Sequence, residues 1–203
     1  MIKEEQIYIK NNQLTLEGLL CKASEEKGVV ICHPHPLMGG SMHNNVVEAI
    51  QEAYAAENYT TLRFNFRGVE GSTGQYDEGR GEQEDILAAC KYLQDIGILK
   101  TAFAGYSFGA WVGAKFIERL DNIFANVTFV SPPINIYDLN FTKLDNKINQ
   151  IICGSYDQFC DINILKGKIK NINANLRIIS DADHFYFGQE KELVNILRVI
   201  LRK

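Results

Sequence analysis

The sequence predicts an α/β fold: a mostly parallel sheet, helices on both faces, and an antiparallel hairpin at the start. Three observations carry this. Strand-like and helix-like segments alternate along most of the chain. The strand-like runs, such as Val29 to Cys32 and Gln150 to Cys153, are short and nearly continuously apolar, as in strands buried on both faces. The first two extended segments, 5–10 and 14–22, meet at Asn11-Asn12, a hairpin signal.

The elements follow in order. Residues 44–57 are helical by period, with Val46, Val47, Ile50, Ala53 and Tyr54 on one face. Thr60 to Phe66 is a strand, and a glycine-rich loop runs from Gly68 to Gly81. A helix spans 82–96, with Ile86, Leu87, Cys90 and Leu93 at helical spacing. Thr101 to Gly105 is a strand followed by a helix over 108–120. Asn126 to Val130 is a strand ended by Pro132-Pro133, and Gln150 to Cys153 is the next. A helix is expected around 161–170, a last strand at Leu176 to Ser180, and a last helix over 189–202. The connection between the strands at 126–130 and 150–153 is short and leaves little room for an inserted domain. The 203 residues are read as one domain, 1–203.

Composition excludes several classes. Charged residues make up 23% and the net charge is −4, with no basic patch to receive a nucleic acid backbone. No run approaches the roughly 20 apolar residues of a membrane span. The amino terminus has charged residues at once and no apolar signal segment. The five cysteines (Cys21, Cys32, Cys90, Cys153 and Cys160) form no CxxC pair. They are expected to be reduced thiols, and the protein is expected to be cytoplasmic.

Residues 105–109 read Gly-Tyr-Ser-Phe-Gly, a G-x-S-x-G between a strand and a helix. This is the context of a nucleophile elbow, in which a serine sits exposed on a sharp turn. Ser107 is the candidate nucleophile. Gly105 and Gly109 would relieve crowding between strand and helix. The Phe108 N–H, at the helix start, can serve as one oxyanion donor.

A serine hydroxyl needs a base. In this fold the base comes last in the order Ser, Asp, His. Of the four histidines, His184 alone lies between the last strand and the last helix. The acid should lie just past the preceding strand, which selects Asp157, three residues beyond Gly154. Asp161 competes but is better placed to cap the following helix. Asp181 and Asp183 read as loop residues.

Residues 33–40 read His-Pro-His-Pro-Leu-Met-Gly-Gly directly after a strand, where a second oxyanion donor should arise. Pro34 and Pro36 have no N–H, so the donor is His35, Leu37 or Met38, and Leu37 is the candidate. His33, His35 and His43 lack the spacing and the extra ligands of a zinc site. Their side chains are expected to hold the loop in shape. The run Arg67 to Gly74 matches no nucleotide-binding pattern. Arg67 and Glu70 are expected either to touch substrate or to pair with neighbouring loops. No metal and no cofactor is expected.

Five motifs together resemble a known family: His33-Pro-His-Pro-Leu-Met-Gly-Gly, Arg63-Phe-Asn-Phe-Arg-Gly-Val, Gly81-Glu-Gln-Glu-Asp, Gly105-Tyr-Ser-Phe-Gly-Ala and Ala182-Asp-His-Phe. The chain resembles the small, lidless bacterial α/β hydrolases, related to dienelactone hydrolases and to the X-Pro dipeptidyl-peptidase-like group. The resemblance runs from about residue 28 to the end. It implies the α/β-hydrolase fold, a Ser107-Asp157-His184 triad and esterase activity on a small-molecule ester. Dienelactone hydrolases typically carry a cysteine nucleophile, so the serine here argues against dienelactone substrates. A peptidase or acyltransferase could use the same triad. A binding protein on a hydrolase fold is the alternative outside enzymes.

Overall fold

The computed structural model describes residues 3–120 and 123–202. Its strands are β1 (Glu5–Asn11), β2 (Leu14–Cys21), β3 (Lys27–Cys32), β4 (Thr60–Phe64), β5 (Lys100–Tyr106), β6 (Asn126–Val130), β7 (Gln150–Gly154) and β8 (Asn175–Ile179). The helices are α1 (Asn45–Ala56), α2 (Gly81–Asp95), α3 (Phe108–Glu118), α4 (Ile162–Ile169) and α5 (Glu190–Leu201). Among the described residues the strands form one eight-stranded sheet in the order β1-β2-β4-β3-β5-β6-β7-β8. β1 and β2 are an antiparallel hairpin with Asn11 opposite Leu14, and β2 runs antiparallel to β4. From β4 through β8 every pair is parallel. This is the mostly parallel α/β sheet with a leading antiparallel hairpin expected from the alternation of elements, in the α/β-hydrolase arrangement that the resemblance implies, without a lid. The connection from β6 to β7 holds only a single 3₁₀ turn, Phe141–Leu144.

Alternation along the strands divides the core into two layers. On β3, Val30 and Cys32 face one layer while Val29 and Ile31 face the other. On β5, Phe103 faces the first, and Ala102, Ala104 and Tyr106 the second. The first layer is closed by apolar residues of α2, α3 and α4, among them Ile86, Val112 and Leu165. The second is closed by α1 and α5, through Val46, Ile50, Leu193 and Leu197. Helices therefore cover both faces, which is why the central strands contain so few polar side chains. No helix among the described residues is long and apolar enough to cross a membrane.

Most boundaries fall within one or two residues of the sequence pattern, and one strand ends early for a physical reason. The expected strand over Thr60 to Phe66 stops at Phe64. The Asn65 N–H still donates to the Glu17 carbonyl opposite it on β2, but the Glu17 N–H turns to Ser72 Oγ and the Phe66 N–H to a histidine ring, so the ladder ends there. The loop after β3 contains a 3₁₀ turn, Pro36–Met38. Cys21, Cys32, Cys153 and Cys160 are buried and Cys90 is half-buried, all as free thiols.

Charged groups lock the loop after β4 to the framework. Asp85 on α2 is fully buried. It accepts from the Arg67 guanidinium at 2.8 Å, from the Arg67 N–H at 3.0 Å and from Asn11 Nδ2 at 2.7 Å. Gly81 lets the guanidinium lie flat on the helix start, because a Cβ there would come within 1.9 Å of Arg67 Nη1. One carboxylate thus ties hairpin, loop and helix. Arg63 does similar work on β4, gripping Glu4 with two nitrogens and the Met42 carbonyl with a third. Removing a buried partner strands the other charge, which costs about 3 kcal/mol or more. Asp85→Ala should lower the urea-unfolding free energy by about that amount. Asp85→Asn should recover part of the loss, since its side chain still accepts from Arg67 and its backbone N–H.

Candidate active site

The carboxyl ends of the parallel strands bring the sequence-selected residues together. This is where open α/β sheets place their sites. Ser107 follows β5 directly, with φ 52° and ψ −117°, and α3 begins at the next residue. Such a backbone is strained for a residue with a Cβ, by about 1–3 kcal/mol. Both flanking glycines are required. A Cβ on Gly105 would lie 2.7 Å from the Ala110 nitrogen, and one on Gly109 would lie 2.5 Å from the Cys32 carbonyl oxygen. The turn is pinned by the Ser107 N–H, which donates to the Val130 carbonyl at 3.0 Å.

His184 sits on the loop between β8 and α5 and is almost fully buried. Its Nε2 lies 2.9 Å from Ser107 Oγ. Its Nδ1 lies 2.9 and 3.0 Å from the two Asp157 oxygens. The carboxylate holds the ring proton on Nδ1 and leaves Nε2 to accept from the serine hydroxyl. Asp157 Oδ1 also accepts from the N–H groups of Phe159 and Cys160, at 2.9 and 3.0 Å. Asp161 caps α4 instead, accepting from the Asn163 and Ile164 N–H groups.

Several supports of this arrangement carry no local motif. Tyr106 Oη donates to the His184 carbonyl at 2.8 Å. Phe159 and Phe185 pack edge-on against the imidazole, at 4.7 and 5.6 Å between centroids. The Asp183 carboxylate accepts from the Phe185 and Tyr186 N–H groups and shapes the loop. Gly154 is obligatory because a Cβ there would lie 2.3 Å from the Ala182 carbonyl oxygen. That glycine was visible in the sequence, but its contact spans two loops. Behind the site, Ser131 at the end of β6 also has positive φ, 47°, and its Oγ lies 2.7 Å from Tyr186 Oη.

The histidine-proline loop forms the opposite wall. His33 is completely buried. Its Nδ1–H donates to the Pro34 carbonyl at 2.6 Å, and its Nε2 accepts from the Phe66 N–H at 3.0 Å. Burial pushes its pKa down to about 4. His35 accepts the Leu37 N–H on Nδ1 at 3.2 Å, and its Nε2 lies 3.2 Å from Tyr76 Oη. These rings hold the loop, as expected. His43 lies on the exposed side, 3.8 Å from Glu70.

The expectation for Leu37 as an oxyanion donor needs correction. The 3₁₀ turn folds its N–H back onto His35, and its side chain is 72% exposed, away from the cavity. The same turn engages the Met38, Gly39 and Gly40 N–H groups. Of the three residues left open by the sequence, His35 has an N–H with no acceptor among the described residues, and it lines the cavity beside Ser107. Phe108 occupies the first position of α3, where no intrahelical acceptor exists. Arg67 and Glu70 do pair with neighbouring groups: Arg67 with Asp85, and Glu70 with Asn65 Nδ2 at 2.8 Å.

Above Ser107 lies a cavity of about 300 Å³, walled by Phe108, Tyr137, Ile136, Phe159 and Phe185 and by the turn at Met38.

No family model matches the chain. It is 33% identical over 201 residues to an uncharacterised protein of Rickettsia prowazekii, covering 92% of this chain and 84% of the relative. It is 30% identical to an α/β serine hydrolase homologue from Coxiella burnetii, with a TM-score of 0.89 and 99% of each chain covered. The chain belongs to the α/β serine hydrolase family. A lidless α/β serine hydrolase from Xanthomonas campestris shares this hydrolase's fold at a TM-score of 0.87 and 24% identity, over 100% of this chain and 95% of that one.

The neutral, buried His33 makes this hydrolase acid-sensitive. Its folded pKa of about 4 lies below the ordinary 6.5, so the unfolded chain takes up the proton first. The associated stability is intact above pH 6.5 and is lost as pH falls from there toward 4. The total is about 3 kcal/mol. In an NMR titration the His33 ring should show no protonation above about pH 5. Replacing His33 with Asn should flatten the dependence of unfolding free energy on pH between those limits.

Proposed function

We propose that the protein is a carboxylic-ester hydrolase working through an acyl-enzyme on Ser107. The observation that carries this reading is the unbroken chain from Ser107 Oγ to His184 Nε2, 2.9 Å, and from His184 Nδ1 to Asp157, 2.9 Å, at the floor of an open cavity.

In this reading Ser107 Oγ attacks the acyl carbonyl while His184 Nε2 takes its proton. Asp157 holds the imidazole in the required tautomer and stabilises the imidazolium. The carbonyl oxygen becomes negative beside the N–H groups of Phe108 and His35, two cavity-lining residues whose N–H groups have no acceptor among the described residues. The position at the α3 amino end adds a favourable partial charge. Collapse of the tetrahedral intermediate expels the alcohol, which takes the proton from His184. Water, activated by the same histidine, then attacks the acyl carbon and releases the acid. The reaction in this form calls on no metal and no cofactor.

The arrangement favours an ester over an amide only weakly, because the acyl-enzyme is common to both. The supporting feature is the absence of a lid: the mouth is shaped by single loops, suited to a small or exposed ester.

A fluorophosphonate probe should label the wild type and fail to label Ser107→Ala. Short-chain p-nitrophenyl esters should be cleaved by the wild type alone. Asp157→Asn, which preserves shape but not charge, should lower kcat by about 10³- to 10⁴-fold. Labelling that survives Ser107→Ala would give the nucleophile to another residue. A wild type that is neither labelled nor active would end the catalytic reading.

A further inference from the structure

The side chains lining the cavity carry no carboxylate, ammonium or guanidinium group. The titratable groups facing it are two imidazoles, His35 and His184, and two phenols, Tyr106 and Tyr137. Burial raises both phenols and lowers His35, so these three are uncharged at neutral pH. Apart from the Ser107 hydroxyl and the Asn44 amide, the rest of the lining is apolar or backbone. Arg67, on the loop after β4, is not among the lining residues and is paired with Asp85 through Nε and Nη2.

The apolar lining extends to the rim. Met38 on one side of the mouth is 76% exposed, and Ile136 on the opposite loop is 56% exposed. Phe185 is 39% exposed and stacks on the more exposed Phe187 at 6.0 Å. A ligand that covers these side chains gains the usual free energy of apolar burial, about 25 cal/mol per Å². A charged ligand entering the same space loses hydration and meets no counter-ion. The volume, about 300 Å³, falls at the lower end of small-molecule sites.

From this lining we infer the substrate class: a small, uncharged ester whose groups beside the scissile bond are apolar. Met38 and Ile136 set that preference from the two sides of the mouth. The inference rests on the ester-hydrolase reading above and narrows it. The lining has no cationic side chain to receive a free carboxylate, as an anionic lactone or half-ester would need. It also has no carboxylate to receive a free α-amine, as a dipeptide-releasing enzyme would need.

The test compares three p-nitrophenyl esters of matched length: the hexanoate, the mono-ester of adipate and the 6-trimethylammonio-hexanoate. The wild type should prefer the neutral ester over each charged one by at least about tenfold in kcat/KM, the effect of a modest desolvation difference. Ile136→Lys and Met38→Lys alter exposed positions. Each should raise the ratio of anionic to neutral turnover at least about threefold and leave the cationic ester disfavoured. A wild-type preference below tenfold overturns the inference while fluorophosphonate labelling of Ser107 upholds the hydrolase reading. A tenfold wild-type preference unmoved by either lysine overturns the assignment to Met38 and Ile136. Loss of both labelling and turnover removes the two readings together.

Discussion

Ser107 adopts a backbone that a side chain disfavours, and most of the surrounding architecture can be read as what keeps it there. The strain is about 1–3 kcal/mol, small against the packing that opposes its release. β5 is buried along nearly its whole length, and α3 packs back across it in the same apolar layer as Phe103. Relaxing the turn would separate strand from helix. Gly105 and Gly109 let the two approach to distances that any Cβ would forbid. The reward is a serine hydroxyl held at the cavity floor, with two helix N–H groups of the first turn left without intrahelical partners.

The second requirement is that two further loops arrive at the same point. They do so because β7 and β8 lie successively beyond β6 in a parallel sheet, so that their carboxyl ends open on the same edge. Parallel register alone sets residues within several ångströms, not within hydrogen-bond distance. The last adjustment is made by specific contacts. Tyr106 holds the His184 carbonyl, Asp183 folds the loop on itself, and Gly154 admits the Ala182 backbone. Asp157 is oriented by two N–H groups of its own loop before it meets the histidine. Each of the proposed catalytic side chains is therefore positioned by groups that take no part in the reaction, an arrangement suited to electrostatic preorganisation.

The facing wall is organised around a neutral histidine. His33 bridges the loop after β3 and the end of β4, giving one backbone bond and taking another. An uncharged ring can do this in a fully buried position, whereas a protonated one would lose the bond from Phe66 and carry an unpaired charge. The same avoidance of charge continues into the cavity. Cations and carboxylates are close by in the framework, but they are spent on each other, as Arg67 and Asp85 are. What remains for a substrate is a largely apolar space without carboxylate, ammonium or guanidinium side chains.

The amino-acid sequence by itself determined the order and type of nearly every element, because burial on two faces and one-sided helix packing leave periodic marks along the chain. It also selected Ser107, His184 and Asp157, since each lies at the end of a strand whose place in the sheet follows from that order. Asp161 was separable from Asp157 because a capping aspartate has a local signature. The sequence left three residues for the second oxyanion donor, and the preferred one, Leu37, does not fit. The choice depends on a 3₁₀ turn that consumes the N–H groups of Leu37, Met38, Gly39 and Gly40. That turn is held by His35 and Tyr76, residues 41 positions apart. The roles of Tyr106 and Gly154 were equally hidden, and for the same reason. Their partners are near in space and distant along the chain, and a side chain's partner is chosen by packing between elements, which no local pattern encodes.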